Sequence, residues 1–127
     1  MVGRGQTVLA VPIHQTPTAI TGTCTDSYVS VRTAFFYTRA HVRKMFKILN
    51  THAANPMKYR IRGCSSLLAG AMVNPKIVIP ETVLPGGLTD PEIETITDPY
   101  SFLDVQVANQ TPASNATYHV ETELASQ

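Results

Sequence analysis

The chain has 127 residues, the length of one domain, and is long enough to bury one ordinary hydrophobic core. Apolar residues make up 43%, as in globular proteins, but charged residues only 15% against a typical ~25%; Thr, Asn, Ser and Gln fill the difference. No apolar run approaches the ~20 residues of a membrane span, the N-terminus lacks the features of a secretion signal, and a net charge of +1 exerts no long-range pull on a polyanion, so a soluble protein made in a cytoplasm is expected.

Residues 1–5 read as a loose arm and 7–13 as a short β-prone run whose Pro12 places it at an edge or a strand end. Residues 14–26, rich in Thr with Pro and Gly, read as extended loop, and 28–33 as strand. The stretch 34–54 is ambiguous. Val42, Met45, Phe46, Leu49 and Ala53 follow helical spacing, whereas a strand would put Val42, Lys44, Phe46, Ile48 and Asn50 on one face, with Lys44 spoiling the alternation. Local periodicity favours the helix. Residues 57–63 alternate cleanly, with Met57, Tyr59 and Ile61 opposite Lys58, Arg60 and Arg62, which predicts a half-buried strand. Paired with 46–50 it would form an antiparallel hairpin. Residues 64–74 suit a loop or a brief helical turn; 76–84 are β-prone around Pro80; Pro85-Gly86-Gly87 and Asp98-Pro99 are turns. Residues 91–97 alternate imperfectly through Ile93 and Ile96, and 100–107 and 118–124 read as strands. Short strands separated by Pro, Gly and Asn turns point to an antiparallel sandwich or barrel.

The charges are sorted by position. Nine of ten Lys and Arg residues fall between Arg32 and Lys76, with no acid among them, and eight of nine acids follow Ile77 with no base among them. The two blocks can pair within one molecule, or copies can meet basic face to acidic face. A third use would be nucleic-acid binding by Arg39, Arg43, Lys44, Lys47, Lys58, Arg60 and Arg62, with Tyr37 and Tyr59 to stack bases. The balanced net charge argues against it, and charge matching that fixes register and orientation is the simpler reading.

Templates for chemistry are absent from the sequence. Gly3-Arg4-Gly5 and Gly86-Gly87 lack the strand-to-helix setting of a phosphate loop, and His14, His41, His52 and His119 have no metal-ligand spacing. Cys64 with His52 could be imagined as nucleophile and base, but a buried thiol and a turn histidine are expected. Cys24 and Cys64 are read as two buried free thiols. The pairs Glu92/Glu94 and Glu121/Glu123 read as strand faces rather than acid–base dyads, and the sequons at Asn109 and Asn115 as chance in an Asn/Thr-rich region. No catalytic residue, metal ligand or cofactor is expected.

Three pieces of the chain resemble tailed-bacteriophage virion proteins of the capsid decoration and head-fibre type. They are Phe46-Lys47-Ile48-Leu49-Asn50 with Tyr59-Arg60-Ile61-Arg62-Gly63; Pro80-Glu81-Thr82-Val83-Leu84 with Gly86-Gly87; and the run from Pro99-Tyr100 through Phe102, Leu103, Val105 and Val107. The resemblance covers about half the chain. It implies an all-β fold: a single antiparallel β-sandwich, jelly-roll-like, over 27–127, with an extended N-terminal arm over 1–26 that orders on a neighbouring subunit. It also turns 42–50 into a strand. The function implied is non-enzymatic: a virion structural protein that decorates or cements a phage capsid through contacts with itself, as a trimer or higher oligomer, and with a major capsid or other virion protein. The expected interface residues are Arg39, Arg43 and Lys47 from the basic block and Glu92, Glu94 and Asp98 from the acidic block. The alternatives are a carbohydrate- or host-binding fibre module using Tyr28, Tyr37 and Tyr118, and a nucleic-acid-binding domain.

Overall fold

The computed structural model of the chain describes residues 18–125. Its strands are β1 (Thr18–Thr23), β2 (Val29–Ser30), β3 (Phe36–Tyr37), β4 (Arg43–Asn50), β5 (Met57–Cys64), β6 (Leu67–Leu68), β7 (Ala71–Met72), β8 (Lys76–Leu84), β9 (Glu92–Ile96), β10 (Phe102–Asn109) and β11 (Thr117–Ala125). Among the described residues there is no helix, hence none long and apolar enough to cross a membrane. The expected β-prone run 7–13 lies outside the described residues.

Two antiparallel sheets carry the fold. Sheet A has the order β1-β11-β4-β9, and sheet B the order β2-β10-β5-β8, with β3 also on β10. Apart from the small β6–β7 hairpin, the chain changes sheet at every connection between these strands except β2 to β3 and β5 to β8. That wrapping is a double Greek key, the jelly roll. The sandwich expected from the turn-punctuated strands is present.

Each long strand is amphipathic at period two, so burying one face leaves the other free. Phe46, Ile48 and Val120 of sheet A meet Tyr59, Ile61, Val105 and Val107 of sheet B, all fully buried. Each such side chain contributes about 1.5–3 kcal/mol by leaving water. Phe36, from β3, closes one end with its ring edge-on to Phe46 at 5.3 Å.

Residues 43–50 form the strand that the resemblance implied and not the helix that local periodicity favoured, because Lys44, Phe46, Ile48 and Asn50 all face the core. Three further local expectations are corrected. β4 and β5 are not a hairpin: β4 lies between β11 and β9, and β5 between β10 and β8, so both edges of each are taken. Thr18–Thr23, expected as loop, is a strand on β11. Residues 64–74 hold the β6–β7 hairpin, whose central Ala69 and Gly70 have φ of 51° and 81°. Positive φ at both central positions is the type I′ geometry that matches strand twist.

Candidate assembly surfaces

The outer face of sheet B is where the basic block meets its partners. β5 turns Lys58, Arg60 and Arg62 outward. On the neighbouring β10 they stand opposite Ala108, Gln106 and Asp104. Arg62 grips Asp104 Oδ2 through Nη2 at 2.9 Å and Nε at 3.2 Å. The Arg60 Nε donates to Gln106 Oε1 at 2.8 Å. The Lys58 ammonium lies 3.4 Å from Glu81 of β8. Tyr28 lies across this strip: its phenol donates to Glu81 Oε1 at 2.7 Å, and the Arg60 guanidinium sits 4.2 Å from its ring centre. That hydrogen bond, followed by the Lys58 charge, holds the Glu81 carboxyl below its usual pKa, while desolvation and the same bond push the Tyr28 phenol up. Charges far apart in sequence are thus paired inside one molecule.

Sheet A disposes of the six expected interface residues differently. Arg39 is exposed in the β3–β4 connection, Arg43 is exposed at the start of β4, and Lys47 is half-buried on the outward face of β4. None makes an ion pair with another described residue. Glu92 and Glu94 are on the adjacent strand, opposite Ile48 and Phe46, and so share the inward face. There the carboxylate of Glu94 accepts the phenol proton of Tyr59, which reaches across from sheet B. Asp98 is exposed in the turn after β9, and its backbone carbonyl takes the Lys44 ammonium. The fold therefore brings the basic and acidic sets onto neighbouring strands but turns Arg43 and Lys47 away from Glu92 and Glu94.

The acids beside the outward bases are not among the six expected interface residues. Glu121 of β11 is directly opposite Lys47, and Glu123 is opposite Met45. The alternation of 118–124 placed Glu121 and Glu123 on one face, but nothing local shows that β11 would lie beside β4.

The residues considered for chemistry do not converge. His52, in the β4–β5 connection, accepts the amides of Ala54 and Asn55 at Nδ1, 3.0 and 2.8 Å away, and so builds a turn. Cys64 ends the same strand that Met57 begins, roughly 23 Å along at the usual strand rise. Its thiol donates to the Ser66 carbonyl at 3.3 Å beside an open cleft of about 410 Å³ that Asn74, Lys76 and Tyr100 also line. Cys24 and Cys64 are both buried free thiols, with no disulfide between them, and burial pushes the Cys24 thiol up to about 11. Among the described residues no three His, Cys, Asp or Glu side chains are grouped to hold a metal ion.

No family model and no curated protein matches the chain. A solved chain of Bacillus endospore appendages, which form a novel family of disulfide-linked pili, is 12% identical over 97% of this chain and 99% of that one, with a TM-score of 0.48. A chain of Desmodium yellow mottle tymovirus is 12% identical over 98% and 96%, with a TM-score of 0.31. These are distant matches to a pilus chain and a virus chain. The jelly-roll assignment rests on the strand order itself.

Proposed function

We propose that this chain is a non-enzymatic structural subunit that assembles through contacts between its own copies, and that its setting is a virion. The finer reading, a protein that decorates or cements a phage capsid beside a major capsid protein, is supported by the three motif resemblances. One observation carries the self-assembly reading. On the face a nucleic acid would need, folding pairs Lys58 with Glu81 and Arg62 with Asp104 and ties Arg60 to the uncharged Gln106, yet it leaves Arg39, Arg43 and Lys47 without an ion pair among the described residues. Glu92 and the Asp98 carboxylate, at the β9 edge, likewise make no ion pair there. Arg43 and Lys47 on the outer face of sheet A, Glu121 and Glu123 beside them on β11, and Glu92 and Asp98 at the β9 edge give one molecule surface charges of both signs, which suit head-to-tail or side-to-side contact, where opposite charges set orientation. Of the arm expected over 1–26, Thr18–Thr23 pair with β11 of the same chain and so do not serve as a free arm.

Of the three tyrosines that a sugar-binding module would use, only Tyr37 is well exposed; Tyr118 is buried and the Tyr28 ring is covered by Arg60 and Lys58.

Sedimentation of the full chain against concentration and salt tests the reading. Self-association that weakens as salt rises supports it. The double reversal Arg43→Glu, Lys47→Glu should abolish the salt-sensitive part of the association and leave thermal unfolding unchanged. A chain that stays monomeric at all concentrations and retards nucleic acid at physiological salt would overturn it.

A further inference from the structure

An open sheet edge offers unpaired amides and carbonyls to any other strand, and proteins blunt such edges with short strands, proline, bulges or inward-pointing charges. Three of the four edges here are blunted. β2 and β3 are two residues each. β8 carries Pro80 and two register shifts against β5. β9 points Glu92 and Glu94 toward the sandwich interior. The fourth edge, β1, has none of these devices: Thr18-Ala19-Ile20-Thr21-Gly22-Thr23 contains no charge and no proline, and pairs with β11 in unbroken register.

The bonding parity of β1 is determined. The Cys24 amide donates to the Ala116 carbonyl at 2.8 Å in the β1–β11 register, so even-numbered residues of β1 bond inward to β11. The Thr51 amide donates to the Thr117 carbonyl, which assigns the odd residues of β11 to β4 and its even ones to β1, in agreement. Ala19, Thr21 and Thr23 therefore aim their amides and carbonyls outward, and no described residue meets them.

We infer that this edge is the site of an isologous contact with a second copy of the chain, β1 antiparallel to β1, about a two-fold axis at Thr21. The axis follows from parity together with overlap: parity excludes registers that oppose odd to even residues, and of the rest only the axis at Thr21 pairs all three outward positions. Residues opposed across an antiparallel pair share a face, and only outward-bonding positions can exchange ladder bonds. Pairing Thr21 with the partner's Thr21, and Ala19 with the partner's Thr23, satisfies both conditions and makes about six hydrogen bonds. It also sets Ile20 against the partner's Gly22, where the side-chain space above the glycine is occupied by Tyr118, so the apolar inner face continues across the axis. Two four-stranded sheets would become one of eight strands. A charge-free strand is its own complement in this arrangement, whereas a partner recognised by charge would find nothing on β1.

The inference rests on the self-association reading and is tested so that the two fail separately. Position 21 meets itself only in this register. Thr21→Lys and Thr21→Glu chains should therefore each lose at least tenfold in association constant, and mixing them should restore it as a heterodimer. Thr21→Pro, which removes an outward amide that the monomer does not use, should lose as much with unchanged unfolding. Amide exchange of Ala19, Thr21 and Thr23 should slow as concentration rises. Association that survives all three substitutions overturns the edge contact and leaves self-assembly standing. A wild-type monomer overturns both. Protection of the three amides that is independent of concentration places a segment of the same chain on the edge, and also overturns the inference.

Discussion

The ammonium of Lys44 is buried on the inner face of β4, 1% exposed, and donates to the backbone carbonyl of Asp98 at 2.7 Å. This is the residue that breaks the apolar alternation of 42–50. Its four-carbon stem fills core space, and its charge finds an acceptor in the turn after β9.

Burial lowers the pKa of Lys44, with the nearby Asp98 charge opposing the shift. A base whose folded pKa is depressed holds fewer protons folded than unfolded in the window between the folded value and the ordinary ~10.4. Stability should therefore rise as pH increases through that window. Lys44→Met, which keeps the stem and removes the buried charge, should leave urea stability at pH 7 unchanged or higher and abolish that rise. Lys44→Ala should cost about 2 kcal/mol by opening a cavity.

Asp104 is fully buried, and its Oδ1 has no partner among the described residues, so Arg62 is the group that compensates its charge. Arg62→Ala should cost about 3–5 kcal/mol, because it strands a buried carboxylate. The double variant Arg62→Ala, Asp104→Ala should cost clearly less than the sum of the single ones in a urea double-mutant cycle.

Tyr28→Phe removes the hydrogen bond that most depresses the Glu81 carboxyl. In the wild type, the contribution of Glu81 is present above the ordinary carboxylate pKa of ~4.3 and is lost as pH falls through the lower folded value. The variant should titrate Glu81 at higher pH by NMR and show a flatter fall of Tm in acid.

A Cβ added at Gly63 would stand 2.6 Å from Cγ of the Tyr100 ring. Gly63→Ala should cost about 1–3 kcal/mol by overpacking. Adding Tyr100→Leu should recover part of the loss in chemical denaturation if the ring is the obstacle.

Several strands were legible because their signal is local. The alternation of Met57, Tyr59 and Ile61 against Lys58, Arg60 and Arg62 needs no partner to be read, and β5 follows it. The 118–124 pattern became β11 for the same reason. Over 43–50 periodicity alone points to a helix, against the strand that the resemblance implies and the fold contains, because the acceptor that lets Lys44 face inward lies 54 residues away. β1 was missed because Thr and Gly read as loop until an adjacent strand supplies hydrogen bonds, and that strand is β11. The surface was the least legible part. Arg43 and Lys47 kept an outward position, but Glu92 and Glu94 face inward beside Phe46 and Ile48.

The sequence by itself determined an all-β chain of two-faced strands, two free buried thiols and two blocks of opposite charge. Those follow from side-chain periodicity and composition, which are properties of neighbouring residues. Only the tertiary structure decided which charges meet. The roll places β5 between β10 and β8, and β4 between β11 and β9, so most of Lys58, Arg60 and Arg62 is answered internally while Arg43 and Lys47 are not. Strand order depends on contacts between distant segments, and no local pattern encodes it. The open, uncharged edge of β1 belongs to that same order: a strand has a free edge only once its sheet has been closed on the other side.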